Sequence, residues 1–282
     1  MPMENFIQNV ESTKWEKVYR LYQKGMELKI DKMKNDKGKE LKKLDLWFQE
    51  ELPSAIKDRK DKHITKAELC KLMKWKLSRG KFRPRLQQMV ESNPEDTVVS
   101  ASKKAFKHLP NLKKAIEELT VLKAVGPATA SAVLTAGAPE QAAFMADESM
   151  QALPGLQPLQ YTTGFYLQYM DQIKQLMKML QKGDKDWTAH KVELTLWTFE
   201  YLGKAAPALL TDTLEETPKR KQDQETNGDI KSNKKKKTYA SLSLIVPVTC
   251  NNSTGPVGLQ PSTCYWCHLH MRENFFRGIN VK

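Results

Sequence analysis

Apolar side chains recur at helical spacing from the start of the chain to about residue 205, and no alternating strand pattern interrupts them. Trp15, Val18, Tyr22 and Met26 mark a mostly polar helix that starts at Ser12/Thr13, and Asn35-Asp36-Lys37-Gly38 breaks it. A second helical pattern runs through Leu41, Leu44, Leu46, Trp47 and Leu52, with Pro53 kinking or ending it. Asp58 to His63 is a charged connector. Thr65-Lys66-Ala67-Glu68 is a capping box, in which hydroxyl and carboxylate each satisfy a backbone N–H at a helix start. It opens a helix with Leu69, Leu72, Met73 and Leu77 as its buried stripe and Gly80 as its stop. Asn93-Pro94 begins a further helix through Val98, Val99, Ala105 and Phe106, and Pro110 separates it from the next. Phe165, Tyr169, Ile173, Leu176 and Leu180 set the inner face of a long amphipathic helix that ends at Lys182-Gly183. The last helix is expected to have Asp186 as its cap, Val192, Leu196 and Phe199 inward and Gly203 as its stop. The pattern predicts an all-α domain over residues 10–208, followed by a low-complexity, disordered basic tail over 209–282.

Composition adds a bias in partners. The chain has 282 residues, enough for one large or two modest domains, and its 40% hydrophobic content suits a core plus a solvated tail. A net charge of +13 favours anionic partners, nucleic acid first, although a lysine-rich soluble surface has the same composition. Four cysteines do not make a disulfide scaffold, and a reducing compartment is the simpler expectation. The N-terminal stretch has no apolar leader and no run reaches the length of a membrane span, so a soluble intracellular protein without a membrane partner is expected. The sequence calls for no cofactor and leaves the oligomeric state open.

The stretch from Leu119 to Glu148 carries the most chemistry. One helix closes on Val121 and Leu122, and Gly126 stands where a positive φ is cheapest. Pro127 suits the first position of the next helix, where its missing N–H costs nothing. Ala128, Ala130, Ala132 and Ala136 then allow close packing. These are the residues of a helix-hairpin-helix, spanning about 112–137. Its exposed N–H groups suit a phosphate oxygen, a contact that positions nucleic acid without reading bases. The candidate DNA contacts here are Lys123, Val125, Gly126, Pro127, Ala128 and Thr129. A second candidate surface is Lys74 to Arg85, where Lys74, Lys76, Arg79, Lys81, Arg83 and Arg85 alternate with Trp75 and Phe82. Such interleaving can grip a backbone and stack on a base; equally, the two rings can belong to the core.

The run Leu122-Lys123-Ala124-Val125-Gly126-Pro127-Ala128-Thr129-Ala130 resembles the hairpin of the helix-hairpin-helix DNA glycosylase superfamily, whose pattern is Leu-Pro-Gly-Val-Gly-x-x-Thr-Ala. The resemblance implies a catalytic aspartate at the start of the following helix, and Asp147 in Phe144-Met145-Ala146-Asp147-Glu148 falls on that position. Two positions depart from the pattern. The first turn glycine is Ala124, and the lysine that lets some members cut the strand is Ala128, so a Schiff-base lyase is not supported. Over roughly residues 40–205 the chain is also similar to the Amun-like proteins, a glycosylase-like group of eukaryotic nuclear proteins. Leu72-Met73-Lys74-Trp75-Lys76-Leu77-Ser78-Arg79-Gly80-Lys81-Phe82-Arg83-Pro84 and the Val125–Ala132 run carry that similarity. It implies a nuclear, DNA-associated role.

Three functions are therefore weighed: salt-sensitive DNA binding, a monofunctional DNA N-glycosylase with Asp147 as its carboxylate, and a non-catalytic protein-interaction module. Asp147 also suits plain N-capping ahead of Glu148-Ser149-Met150. Trp75, Tyr161 and Tyr166 are the candidate aromatics for a base pocket. In the tail, Lys219, Arg220 and Lys221, and beyond a polar spacer Lys231 with Lys234, Lys235, Lys236 and Lys237, resemble a bipartite nuclear import signal read by an import receptor. They also suit a DNA-binding arm or a solvated linker. Ser241 to Val248 suits a short extended piece. Cys264-Tyr265-Trp266-Cys267-His268 with His270 is half a zinc site at best, and haem attachment lacks an enclosing domain, so no metal is expected.

Overall fold

Why the apolar spacing folds as it does is visible in a computed structural model, which describes residues 3–34 and 36–215. Among these residues every regular element is helical and none is a strand. In chain order they are α1 (Met3–Gln8), α2 (Ser12–Arg20), α3 (Tyr22–Asp31), α4 (Lys37–Leu46), α5 (Leu52–Lys57), α6 (Lys66–Arg79) and α7 (Pro84–Glu91). There follow α8 (Glu95–His108), α9 (Leu112–Thr120), α10 (Pro127–Gly137), α11 (Asp147–Gln151), α12 (Thr163–Leu180), α13 (Ala189–Ala205) and α14 (Pro207–Glu215). No helix among the described residues is long and apolar enough to cross a membrane.

Two helices form the middle. On α10, Thr129 to Gly137 is buried on every side, as a helix with no polar face must be. Its small residues let neighbours close in: a Cβ on Gly137 would lie 2.4 Å from the Phe106 ring. Residues 192–199 of α13 are likewise buried all round, and α2, α3, α11, α12 and α14 pack on this helix. Phe48 stacks on Trp75 at 3.6 Å, and Phe6 lies between Trp15 and Phe199.

The local signals mostly act as read. Glu68 N–H donates to the Thr65 hydroxyl at 3.2 Å, while Thr65 N–H donates to the Glu68 carboxylate at 2.8 Å. Arg59 braces that carboxylate from the other side with two bonds, of 2.9 and 2.6 Å. Pro53 neither ends nor sharply breaks its helix. It has no N–H for the residue four before it, and a π turn at Trp47–Glu51 absorbs the mismatch ahead of α5. Leu46, one of the residues that mark the second helical pattern, is half exposed. The cap of α13 is Thr188, whose hydroxyl accepts from Lys191 N–H at 3.1 Å, and not Asp186. Gly203 lies inside that helix, which continues to Ala205, and α14 then buries Leu210 and Leu214. The import clusters, Ser241 to Val248, and the Cys264–His270 cluster lie outside the described residues.

Candidate functional site

A cleft of about 870 Å3 opens where α3, α6, α10, α11 and α13 meet. It gathers three stretches singled out in the sequence: the turn before α10, the end of α6 with the residues after it, and Asp147. Along its lining, cations outnumber carboxylates seven to two.

The turn comes first. α9 and α10 pack together and residues 121–126 join them. The left-handed residue is Ala124, with φ 63°, whereas Gly126 is extended at φ −89°; the expectation of a positive φ at Gly126 is corrected. What holds Ala124 in a conformation that disfavours a Cβ is its neighbour. Buried Asn93 donates to the Lys123 carbonyl at 3.0 Å and accepts its N–H at 2.8 Å, clamping the turn. Gly126 then caps α10, its carbonyl accepting the Thr129 and Ala130 N–H groups at 3.0 and 2.9 Å. Pro127 takes the first helical position, as read. The N–H of Ala128, next in the first turn, has no acceptor within its helix. A Cβ built on Gly126 meets no atom within 4 Å, so the helix start faces open space. Val125 and Thr129 are buried while lining the cleft, and the Lys123 side chain lies off its lining.

Asp147 is placed by a loop, residues 138–146, that has no regular structure of its own and is buried over residues 142–146. Buried backbone polar groups need partners, and neighbouring helices supply them. Ser131 accepts from Met145 N–H at 3.0 Å, Tyr166 donates to the Ala143 carbonyl at 3.3 Å and Tyr169 to that of Phe144 at 3.1 Å. The residue at the cap of α11 is Ala146, and Asp147 is the first helical residue, making no cap bond. The plain capping role is therefore corrected. The carboxylate instead accepts the Tyr161 hydroxyl at 2.7 Å and faces Lys81 Nζ at 3.0 Å. Burial, with this hydrogen bond, pushes the Tyr161 hydroxyl up to about 12. Of the three aromatics read as pocket candidates, Tyr161 alone lines the cleft; Trp75 and Tyr166 are core.

The basic stretch splits. Lys81 and Arg83 are exposed on the cleft lining, and Phe82 between them is 75% exposed. Arg79 is turned inward, 2% exposed, with Glu193 at 3.6 Å and the rings of Trp197, Trp75 and Phe144 within 5.5 Å of its guanidinium. As a surface DNA contact it is corrected, since a side chain so enclosed cannot reach a backbone phosphate. Lys74 points away to Glu40 and does not line the cleft. Sequence reasoning missed Lys29 of α3, Lys32 just after it, Lys204 of α13, and the role of Asn93. Lys29 pairs with Glu148 at 3.4 Å and lies over the Tyr201 ring at 5.3 Å. Nothing local distinguishes these lysines from others on exposed faces. Among the described residues no cluster of His, Cys, Asp or Glu is arranged to hold a metal. No protein-family model, no curated protein and no solved structure matches this chain.

Proposed function

We propose that the protein binds DNA in this cleft, with the start of α10 as a helix-hairpin-helix phosphate clamp. Lys81 and Arg83 flank the backbone, and exposed Phe82 supplies a face on which a base stacks. What supports this above all is convergence. Cations from α3, α6, the segment after α6, and α13 meet the open helix start in one cleft, although they are far apart in sequence. Such a focused positive field favours a polyanion. Nuclear localisation belongs to the same proposal and rests on the basic clusters at 219–221 and 234–237.

The test is titration of labelled duplex, carrying a tetrahydrofuran abasic analogue, at two salt concentrations. Wild type should bind with affinity that falls steeply with salt. Gly126→Glu should lose about tenfold or more, because it puts a carboxylate at the helix start where the phosphate would lie, from a Cβ that meets no atom within 4 Å. Salt-insensitive or absent binding by wild type would overturn the proposal. The search would then turn to protein partners. Unchanged affinity of Gly126→Glu would overturn the clamp.

One observation favours a second reading, monofunctional base excision. The Asp147 carboxylate does not cap its helix; it is held in the cleft by Tyr161 and Lys81, a quarter exposed. A carboxylate so placed can stabilise a developing sugar cation or orient water. This reading predicts abasic-site formation in some damaged duplex, abolished in Asp147→Asn while binding survives. A panel of damaged duplexes left intact by wild type would exclude it for those lesions.

A further inference from the structure

We infer that the strand held in the cleft is unpaired, so that the protein prefers single-stranded to duplex DNA. The inference rests on the cleft being the DNA site described above, and it names the form of DNA that the site takes.

The exposed rings carry it. Among the described residues every Trp, Phe and Tyr ring is buried or half-buried except two, Phe82 and Tyr161. Both stand at the cleft: Tyr161 on its lining, and Phe82 between Lys81 and Arg83, which line it. One exposed ring needs no explanation, but two beside a single basic cleft do. A large ring left in water forfeits the hydrophobic gain of burial until something covers it. Phe82 is 75% exposed, with the Lys37 ammonium 6.0 Å from its centroid. Tyr161 is 40% exposed, and its hydroxyl bond to Asp147 fixes where the ring stands.

What covers such rings follows from what each form of DNA displays. A duplex stacks its bases on one another and presents phosphates and base edges. An unpaired strand presents base faces, and these stack on aromatic side chains whatever the sequence. Size points the same way. The cleft volume of about 870 Å3 is within the about 300–1,000 Å3 of sites that enclose a small ligand. It can enclose a nucleotide or two of one strand, whereas a base-paired duplex would rest across its mouth.

The cations are placed to hold a backbone beside those rings. Lys81 and Arg83 bracket Phe82 in sequence and share its side of the lining. Lys76, half-buried on the lining, makes no ion pair, hydrogen bond or ring contact among the described residues, so its ammonium is open to a phosphate. Lys29 and Lys32 add two more charges over the Tyr201 ring, at 5.3 and 5.8 Å. Cations interleaved with rings along a groove are how proteins grip single strands without reading sequence.

The experiment uses the full chain and a labelled oligonucleotide of about 16 nucleotides, the upper end of usual single-strand site sizes. It is offered alone, as intact duplex, and as the tetrahydrofuran duplex. The single strand should bind about tenfold tighter than intact duplex, with the abasic-analogue duplex, whose orphan base is unpaired, between them. Stacking is uncharged and a single strand releases fewer counterions per contact, so the preference should widen as salt rises. Phe82→Leu keeps an apolar side chain and loses the π face. It should weaken single-strand binding about tenfold and duplex binding by less than about threefold, with the unfolding midpoint unchanged because the ring packs in no core. Phe82→Trp should keep the affinity, and its indole fluorescence should be quenched by single strand and not by duplex. Tyr161→Phe keeps the ring and should stay within about threefold of wild type, whereas Tyr161→Leu should not. Either duplex bound as tightly as the single strand, or single-strand affinity unchanged in both leucine variants, would overturn the inference and leave DNA binding standing. No binding to any of the three forms would overturn both.

Discussion

Two carboxylates meet cations from the same basic stretch, in opposite surroundings. Glu193 is fully buried, faces Arg79 at 3.6 Å and accepts the Ser149 hydroxyl at 2.8 Å inside a shell of aromatic rings. Asp147 is a quarter exposed and meets Lys81, itself 70% exposed, at 3.0 Å. The first pair has given up water on both sides, and its compensation is incomplete: Arg79 Nε and Nη2 and Glu193 Oε2 have no hydrogen-bond partner. Neither member can leave, since a lone buried ion costs more than the pair. The second pair keeps its hydration and contributes little to stability. Lys81 can therefore exchange Asp147 for an incoming phosphate, which Arg79 cannot do for Glu193. Charge of one origin becomes scaffold at one end of the stretch and solvated cleft lining at the other.

Removing one member tests this contrast most strongly at the buried pair. Glu193→Gln should cost about 3–5 kcal/mol in denaturant unfolding, because it strands the Arg79 charge among aromatic rings. Adding Arg79→Met should return part of that loss; a double variant no better than the single would show that the two groups are not coupled.

Next in size is Asn93→Ala, which sits on the cleft side of the comparison without any charge. It leaves the Lys123 N–H and carbonyl without their buried partner and should cost about 1–3 kcal/mol. Lower duplex affinity should accompany it, because the turn before α10 loses its clamp. An effect on stability without one on binding would separate the turn from the interface.

Lys76 lies between the two extremes, and pH should expose it. Its folded-state value near 8 is below the usual 10.5, so the folded protein holds this proton more weakly than the unfolded chain. The contribution of this position is full above pH 10.5 and is lost as pH falls through 8. Lys76→Met should thus be more stable than wild type at pH 7, by about 1–2 kcal/mol once partial exposure is discounted, with the gain vanishing above pH 10.5. Equal unfolding midpoints at pH 7 would show that the amine is as well solvated as any surface lysine. The smallest effect belongs to Asp147→Asn, expected within about 0.5 kcal/mol of wild type. A larger loss would make the cleft pair structural and erase the distinction.

Residue by residue, legibility followed the range of the interaction. The capping box at Thr65, the inward face from Phe165 to Leu180, and Pro127 at a helix start were all legible, because partners three or four residues apart decide them. Asp186 was misread for Thr188 because two polar residues near one helix start compete and only the backbone path selects between them. The positive φ was assigned to Gly126 on residue type; Asn93, distant in sequence, moved it to Ala124. The fates of Lys74, Lys76, Arg79 and Lys81 were not legible, although all four lie in one short run.

What the sequence alone determined is the all-helical class, most helix positions, the excess of positive charge, and the stretches from which the cleft is built. Those depend on periodicity, propensity and composition, which act along the chain. The tertiary structure decided which cation is entombed, which is paired in solvent and which is left without a partner. It also turned Asp147 from a helix cap into a cleft carboxylate, through a loop held by Ser131, Tyr166 and Tyr169. The reason is physical: the cost of a charge depends on the water and the opposite charges around it, and residues remote in sequence supply both.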